Sequence, residues 1–552
     1  MPISARLLSW WRLPASWRRL APALACALLA ACGTHVSSQD GSTGELFARG
    51  IEQITDLYIE PISGQKLVVV GATNLAKLDP RLGVSVGGDV RDRDTLTLTY
   101  DGIVAGSYQV PPDIDGNAGG EIVADIIAAA KKASAHVRSL PEDAIDKAVF
   151  DGMTGALDRF SRYASPDEAR DQRAARDGFG GIGVTLETAN SDFSITAVSE
   201  NGPAEHAGLK VGDKIVAIDG TPVAGRQATD LIHQLRGPIG SIVGLTIQRP
   251  GVAGTRDYKI ERALVVVPTV TATRDGNIAI FHVASFNQST TQRVTEGIIE
   301  AQRQVPGGKL AGIVLDLRGD PGGLLDQAVS LSDLFISKGP IIATTGRHPA
   351  SHQYFAATGH AIASSTPIVV LVNGGSASAS EIVAAALQDV GRAVVVGSSS
   401  YGKGTVQTVM RLPNDGELTL TWARLVTPSG YYLQQHGVVP TLCTARVGDS
   451  DASADTVLSR PVDAADADAS RPRVSLNDAA WAALRKSCPA ETTSPALDVK
   501  VAERVLSDPS RYTAALGAIH PSGASAAPPG VPTADAALTA KGSGLSSPPR
   551  TP

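Results

Sequence analysis

Residues 367–403 restrict the fold of this chain more than any other segment. The apolar stretch PIVVLVN (residues 367–373) predicts a buried strand, EIVAAALQD (residues 381–389) a helix and AVVVG (residues 393–397) a second strand. A strand, helix, strand crossover lays its strands parallel, adjacent or one strand apart, so their carboxyl ends open on the same side. The polar segments after the two strands, NGGSASAS and SSSYGKG, are therefore expected to approach each other.

Ser378 and Lys403 are the residues in these two segments that can carry chemistry. Ser378 with Glu381 fits a capping box at the start of the helix, which gives this serine a purely structural interpretation. The alternative is catalytic: Lys403, between Gly402 and Gly404, can enter a poorly hydrated pocket that lowers its pKa. A neutral lysine is a competent general base for a serine hydroxyl, so Ser378 is the candidate nucleophile.

The segment DLRGDPGG (residues 316–323) places a glycine turn between another strand and a helix. Backbone N–H groups at such a turn point at one spot, so those of Gly322 and Gly323, with the N–H of Ala379, are candidates for holding an oxyanion. A phosphate cradle is the rival use of this geometry. No Lys-Ser/Thr pair follows Gly323, which argues against a P-loop.

Residues 177–264 combine short strands, glycine turns and one helix near residues 228–235. Three segments of this region resemble, in order, the carboxylate-binding loop, central turn and closing loop of a PDZ domain. They are GFGGIGV, PAEHAGLKVGDKIVAIDG and LRGPIGS. The N–H groups around Gly181, Ile182 and Gly183 could receive a peptide's terminal carboxylate while the peptide adds a strand beside Val184. For GIG alone, a bare turn between strands is the simpler interpretation.

The ordered motifs over about residues 45–440 resemble the carboxy-terminal processing peptidases, or tail-specific proteases. They are DGMTGALDRFSRYASPDEA, the PDZ-like segment, DLRGDPGG, GSASASEIVAAALQD, GKGTVQ and TPSGYYLQ. The resemblance implies a serine endopeptidase that binds protein C-terminal tails and uses a Ser/Lys dyad of Ser378 and Lys403, with Gln407 orienting the lysine. It also implies that Arg236 couples peptide capture to active-site assembly, although a solvated surface arginine is an equal alternative.

Two positions depart from the family pattern. Asp320 stands where the family usually has Asn before Pro-Gly-Gly, which adds a carboxylate near the predicted oxyanion site. Thr441 stands where the family tends to have Asp after the late proline. Both differences bear on substrate alignment and leave Ser378 and Lys403 in place.

The expected fold class is multidomain α+β, with a helical N-terminal domain, a PDZ-like β domain and a β/α crotonase-like serine peptidase core. The predicted boundaries are a signal peptide at 1–31, a mainly helical domain at 32–175 with a β-hairpin insertion near 82–120, the PDZ-like domain at 176–265, the Ser/Lys peptidase core at 266–448, a partly helical extension at 449–520 and a disordered tail at 521–552.

The first residues predict a lipoprotein signal. Four arginines precede or flank an apolar run that ends in LAAC at Cys32, and the run is too short to span a membrane. Lipidation of Cys32 would tether the protein to the envelope membrane in a bacterial periplasm, whereas a core helix is the alternative. The formal net charge of −6 disfavours nucleic acid as a partner.

Cys443 and Cys488 remain once Cys26 and Cys32 are set aside. In an oxidising periplasm they are expected to form a disulfide that joins the C-terminal region to the body, and two free thiols are the alternative. No Cys/His spacing suggests a zinc site, and no metal or cofactor is expected. The family resemblance adds an expected homodimer through terminal helices, and an adaptor lipoprotein is a further candidate partner.

Two other functions compete with the peptidase. A catalytically inactive PDZ scaffold would use the same body to bind protein C-termini in the cell envelope. A Ser-His-Asp esterase has little support, because no G-x-S-x-G elbow occurs and the ten histidines are scattered along the chain.

Overall fold

A computed structural model of the chain describes residues 43–87, 94–189, 192–461, 476–491 and 494–518. The predicted signal peptide, Cys32 and the predicted disordered tail at 521–552 lie outside the described residues.

The N-terminal unit packs helices around one apolar core. Phe47, Ile51 and Ile54 recur on one face of the first helix and are fully buried, as expected for an amphipathic helix. The predicted hairpin insertion contains three antiparallel strands in the order β1-β2-β3, and the next helix begins at Gly116. The elements are α1 (Thr43–Leu57), α2 (Gly64–Ala76), β1 (Leu82–Val86), β2 (Thr95–Tyr100), β3 (Ile103–Gln109), α3 (Gly116–Ala133), α4 (Ala135–Ser139), α5 (Glu142–Gly155), β4 (Arg162–Ala164) and α6 (Pro166–Asp177).

The next unit is a small β domain with two helices. Five strands follow the order β11-β10-β8-β7-β6, β9 pairs with β8, and β6 is an edge strand. Strands β5 and β12 pair separately where the chain enters and leaves the unit. The elements are β5 (Phe179–Gly181), β6 (Val184–Ala189), β7 (Asp192–Val198), α7 (Pro203–His206), β8 (Lys214–Ile218), β9 (Thr221–Pro222), α8 (Ala228–Leu235), β10 (Ile242–Gln248), β11 (Arg256–Glu261) and β12 (Ala263–Val265).

A six-stranded sheet forms the centre of the third unit, in the order β13-β14-β15-β18-β19-β22. Only the β13–β14 pair is antiparallel, so the β/α alternation in the sequence produced the expected largely parallel sheet. Its elements are β13 (Val270–Asp275), β14 (Ile278–Val283), α9 (Thr290–Gln304), β15 (Gly312–Asp316), α10 (Leu325–Asp333), β18 (Ile368–Val372), α11 (Ala379–Asp389), β19 (Val394–Gly397) and β22 (Leu442–Cys443).

A second, antiparallel sheet packs beside this one, in the order β17-β16-β21-β20 with β4 paired to β21. The predicted hairpin around LPNDGELTLTW is formed by β20 and β21. The strands are β16 (Pro340–Thr345), β17 (Gln353–Ala356), β20 (Thr405–Arg411) and β21 (Glu417–Val426).

Helices near the C-terminus cover one face of the parallel sheet. Val369 and Leu371 point from β18 into a core with Leu497 and Val501, whereas Val370 points to the opposite face beside α11. This alternation is expected of a strand buried on both faces. The helices are α12 (Asp451–Leu458), α13 (Asp478–Ser487), α14 (Pro495–Leu506) and α15 (Pro509–Gly517).

Cys443 and Cys488 are joined by a disulfide, with their Cα atoms 5.8 Å apart. Among the residues that the structure describes, no helix has the length and apolar character needed to span a bilayer. The same residues contain no group of three or more His, Cys, Asp or Glu side chains arranged to hold a metal ion.

Candidate active site

The candidate site lies at the ends of three neighbouring strands of the parallel sheet. Strand β15 pairs in parallel with β18, and β18 pairs in parallel with β19. Their carboxyl ends therefore lie at one edge of the sheet, where the loops containing DPGG, NGGSAS and SSSYGK follow. The prediction that the two strands of the crossover are parallel, with their carboxyl ends on the same side, is confirmed, and the structure shows that they are adjacent.

Ser378 is the N-cap of α11 and has a strained backbone. Its φ of 56° and ψ of −112° lie in a region that non-glycine residues rarely adopt, at a cost of about 1–3 kcal/mol. Glu381 accepts the Ser378 N–H at 2.8 Å, and the capping box predicted from the sequence is present. Strain held at one serine by surrounding hydrogen bonds is typical of a functional turn.

The serines on either side of Ser378 have structural roles. Ser376 Oγ donates to the carbonyl of Leu317 at 2.8 Å, and Ser380 Oγ donates to the carbonyl of Asp320 at 3.1 Å. Both serines are fully buried, whereas Ser378 is partly exposed. The flanking hydroxyls thus fasten the helix start to the DPGG loop.

The carboxylate of Glu381 connects the turn at Ser378 with the loop that carries Lys403. Its Oε2 accepts the N–H of Ser378 at 2.8 Å and the N–H of Lys403 at 2.9 Å. Its Oε1 accepts the N–H of Gly402 at 2.6 Å and the hydroxyl of Ser400. Glu381 is fully buried, and burial raises its pKa while these hydrogen bonds oppose the rise. One oxygen atom therefore holds the backbones of Ser378 and Lys403 side by side.

Lys403 lies in a partly buried environment beside an aromatic ring. Burial lowers its pKa, Arg162 lowers it further, and Glu381 and Asp158 act in the opposite direction. Its amine lies 5.1 Å from the centroid of the Phe160 ring. In this conformation no hydrogen bond joins the side chains of Lys403 and Ser378.

The DPGG loop lies against Ser378. A methyl group on Gly322 would come within 2.8 Å of both Ser378 Cβ and the Ala379 nitrogen, and the φ of Gly322 is 97°, so only glycine fits here. The N–H groups of Gly323 and Ala379 find no acceptor among the described residues. Both remain available to an oxyanion.

Asp320 changes the expected role of Gly322. Its Oδ1 accepts the Gly322 N–H at 2.7 Å, so this amide is occupied and is not free to hold an oxyanion in this conformation. Asp320 is fully buried, and its Oδ2 has no hydrogen-bond partner in the described part of the chain. Burial raises the pKa of Asp320 to about 7, and the bond from Gly322 opposes the rise.

Gln407 lies on β20 and does not contact Lys403 through a hydrogen bond in this structure. Its amide group donates to the hydroxyls of Thr405 at 2.9 Å and Thr421 at 3.2 Å. The orienting role implied by the family resemblance stays a prediction.

The PDZ-like loop at Ile182 and Gly183 joins β5, which ends at Gly181, to the edge strand β6, which begins at Val184. Arg236, at the end of α8, donates to Asp171 of α6 at 2.8 Å and stacks over the Phe179 ring at 4.3 Å. It is therefore paired between α6 and the start of the loop, unlike a free solvated arginine. A cavity of about 300 Å³ lies between α6 and α8 and includes Phe179 and Ile232 in its lining.

Sequence reasoning missed the second function of Glu381. Its spacing from Ser378 identified a helix cap, but the bonds to Ser400, Gly402 and Lys403 depend on how the crossover folds. It also missed Phe160, which lies before β4 and reaches Lys403 from a different unit. No local pattern in the sequence signals that contact.

Comparisons with known proteins agree with this architecture. Peptidase family S41 matches residues 277–443, and a PDZ domain family matches residues 194–249. The chain is 40% identical over 307 residues to a carboxy-terminal-processing protease of Bartonella bacilliformis, covering 55% of this chain and 70% of that protein. It is 33% identical over 310 residues to the carboxy-terminal processing protease CtpA of Bacillus subtilis, covering 56% and 65%.

Among solved structures, the photosystem II D1 C-terminal processing protease is 29% identical, with a TM-score of 0.33 and coverage of 59% of this chain and 92% of that chain.

Proposed function

The chain belongs to peptidase family S41, as a carboxy-terminal processing serine protease with a PDZ domain, and we propose that Ser378 is its nucleophile and Lys403 its general base. The observation that carries this proposal is the shared oxygen of Glu381, which binds the backbone N–H groups of both residues. Holding both backbones on one acceptor keeps the side chains of the serine and the lysine close together, and nucleophilic catalysis requires a base close to the nucleophile.

In the proposed reaction the neutral Lys403 amine removes the proton from Ser378 Oγ as this oxygen attacks the carbonyl carbon of the scissile peptide bond. The N–H groups of Gly323 and Ala379 stabilise the negative charge that develops on the carbonyl oxygen. Lys403 then donates its proton to the departing amine, which leaves Ser378 acylated. Lys403 next removes a proton from a water molecule, whose oxygen attacks the acyl carbonyl carbon, and returns this proton to Ser378 Oγ as the ester bond breaks.

The step from the present conformation to the reactive one is a movement of the Lys403 side chain. Its amine lies over Phe160, while its backbone is fixed beside Ser378. Rotation about side-chain bonds can therefore bring the amine to the hydroxyl without moving the backbone. Catalytic hydrogen bonds are often loose before substrate binds.

The pH dependence of peptide cleavage tests the role of Lys403. Because the neutral amine is the active form and burial lowers its pKa, kcat/KM should rise with pH and level off below the ordinary lysine pKa of about 10.4. Arg162→Gln should move the rising limb of this pH–rate profile to higher pH, because Arg162 lowers the pKa of Lys403. The profile is measured with a fluorogenic peptide from low to high pH. A limb that stays in place in Arg162→Gln and centres at the ordinary lysine pKa would contradict the assignment.

We further propose that the PDZ domain binds the C-terminal tail of a protein substrate. The tail would add a strand beside Val184 on β6, an edge strand, with its carboxylate at Gly181, Ile182 and Gly183. Arg236 would link tail binding to α6 of the N-terminal unit, because it contacts both Phe179 before the loop and Asp171 on α6. Arg173 of the same helix pairs with Glu417 on β21, which extends this link to the catalytic unit.

A peptide with a free C-terminal carboxylate should bind at least about tenfold more tightly than the same peptide with a C-terminal amide. Charge-assisted hydrogen bonds contribute about 1.5–3 kcal/mol, and tenfold in affinity corresponds to about 1.4 kcal/mol. Fluorescence anisotropy with the Ser378→Ala protein measures binding without cleavage. Equal affinities for the two peptides would show that the loop at Gly181, Ile182 and Gly183 does not bind a terminal carboxylate.

The proposed location is a bacterial periplasm, with Cys32 lipidated and the protein anchored to the envelope membrane. The Cys443–Cys488 disulfide supports an oxidising compartment. Cys32 itself lies outside the described residues, and the expected homodimer and adaptor lipoprotein stay predictions. Mass spectrometry of the mature N-terminus checks the lipid.

We also propose the finer fold assignments: a helical N-terminal domain ending near residue 175, the PDZ-like domain to about 265, and a crotonase-like core to about 448. The sheets described above support these limits, since the PDZ-like strands run from β5 to β12 and the core strands from β13 to β22.

A further inference from the structure

The C-terminal segment, defined here as residues 476–491 and 494–506, contacts all three loops that carry the proposed site. The segment lies beyond residues 277–443, the part of the chain that matches peptidase family S41. Its contacts with the site are therefore a feature of this chain that the family match does not account for.

The loop that carries Lys403 is bound by Arg485 of α13. The Arg485 guanidinium donates to the carbonyl of Ser400 at 2.9 Å and to the carbonyl of His436. Ser400 in turn donates its hydroxyl to Glu381. Burial lowers the pKa of Arg485, and the nearby Glu381 carboxylate opposes this effect. Arg485 is thus a partly buried cation that is linked, through Ser400, to the carboxylate that aligns Ser378 and Lys403.

The turn before Ser378 and the DPGG loop are bound by other parts of the same segment. The N–H of Gly374 donates to the carbonyl of Glu491 at 3.2 Å. Arg318, two residues before Asp320, pairs with the fully buried Asp498 of α14 at 2.9 Å. Each catalytic loop consequently has at least one polar contact with the C-terminal segment.

A disulfide, a hydrogen bond and a ring contact hold the C-terminal segment in place close to the loop that carries Lys403. The disulfide attaches Cys488 to Cys443 at the end of β22, and the hydroxyl of Ser399 donates to the carbonyl of Cys488. Trp481 of α13 is buried and stacks on His436, with ring centroids 4.7 Å apart. A displacement of α13 would therefore disturb the loop that carries Lys403.

We infer that Arg485 is a positioning residue of the peptidase site, and that helix α13, which carries it, is a structural part of that site. Arg485 acts through Ser400 and Glu381, which it holds in place, and does not touch the reacting atoms. The inference rests on the proposed roles of Ser378 and Lys403.

The test compares Arg485→Met and Arg485→Lys with the wild-type full chain. Misplacement of a catalytic group by about 1 Å costs on the order of 100-fold in rate, so kcat of Arg485→Met should fall about 10- to 100-fold. KM should stay within about twofold, because the tail-binding surface is untouched. Arg485→Lys keeps the charge but has one donor nitrogen in place of the two that bind the carbonyls, so it should recover part of kcat. The rate at which a fluorophosphonate probe labels Ser378 should follow kcat.

Arg504→Met is the matched control. Arg504 lies on α14 of the same segment and pairs with Asp451 and Asp455, away from the three loops. Its replacement should leave kcat at the wild-type value. Equal kcat values for Arg485→Met and Arg504→Met would overturn the inference.

A second measurement applies if Arg485→Met does not fold. Dithiothreitol reduces the disulfide to two thiols as it closes to its own cyclic disulfide. Wild-type protein reduced in this way and alkylated should lose kcat about tenfold or more while its circular dichroism spectrum is unchanged, since α13 would lose its covalent attachment. Cys443→Ser/Cys488→Ser should have the same low kcat and no response to dithiothreitol. A reduced protein with wild-type kcat would overturn the inference.

These experiments distinguish a failure of this inference from a failure of the proposed function. If Ser378→Ala cleaves peptide at the wild-type rate, the proposed function itself fails. If Ser378→Ala is inactive and both Arg485 variants have wild-type kcat, only the role of Arg485 and α13 fails.

Discussion

Ser378→Ala should lower kcat/KM for peptide cleavage by at least about 10⁴-fold while leaving tail binding intact. Removal of the nucleophile from a serine protease eliminates the acyl-enzyme route and leaves only the residual effect of the oxyanion site and of substrate binding. The substitution removes the side-chain acceptor of the capping box but keeps the N–H that donates to Glu381, so the helix start should lose about 1 kcal/mol of stability and keep its structure. Cleavage is measured with a fluorogenic tail peptide and binding by anisotropy.

Ser380→Ala is the matched control for this prediction. Ser380 is also a serine of the same turn, but its hydroxyl donates to the carbonyl of Asp320. Loss of this bond should lower the stability of the protein by about 1 kcal/mol and leave most of the activity. If Ser378→Ala and Ser380→Ala have similar activities, Ser378 is not the nucleophile.

Glu381→Gln should impair both the stability and the catalytic rate of the protein. Glu381 uses both carboxylate oxygens to accept four donors, two on each oxygen, whereas glutamine has one accepting oxygen. The two donors left without an acceptor should lower the free energy of unfolding by about 1–3 kcal/mol each. Because the same bonds align Ser378 with Lys403, kcat should fall by on the order of 100-fold.

The pH profile distinguishes an effect on the site from a loss of stability. Glu381 raises the pKa of Lys403, so removing its carboxylate should move the limb of the pH–rate profile to lower pH. Glu417→Gln is the matched control, because Glu417 is also buried but accepts from Arg173 and Arg176. It should lower stability in urea denaturation and leave the limb unchanged. Identical pH–rate profiles for both variants would show that Glu381 does not act on Lys403.

Local sequence patterns predicted the elements that form the site. The apolar strands and the alanine-rich helix around Ser378 have unambiguous periods, and the handedness and length of the crossover leave few arrangements of its strands. The approach of Ser378 to Lys403 followed from this topology alone. Ser378 and Glu381 were also recognisable as a helix cap, because capping depends on residues three positions apart.

Contacts between distant segments could not be predicted in this way. The Asp320 carboxylate was expected near the oxyanion site, but its capture of the Gly322 N–H depends on the conformation of the loop. Arg485 and Ser400 are in contact although they lie 85 positions apart in the sequence, and no periodic pattern predicts such a contact. The insertion was expected to be a hairpin because TLTLTY alternates ahead of Asp101-Gly102. The third strand, β1, was not predicted, and its last residues are exposed.

Mass spectrometry of the protein after reaction with a fluorophosphonate probe tests the proposed pair most directly. The account predicts a single covalent adduct on Ser378, formed more slowly as pH falls through the lowered pKa of Lys403, and formed at least about 100-fold more slowly in Lys403→Ala. An adduct on Ser376 or Ser380, or labelling of Ser378 at the same rate without Lys403, would contradict it.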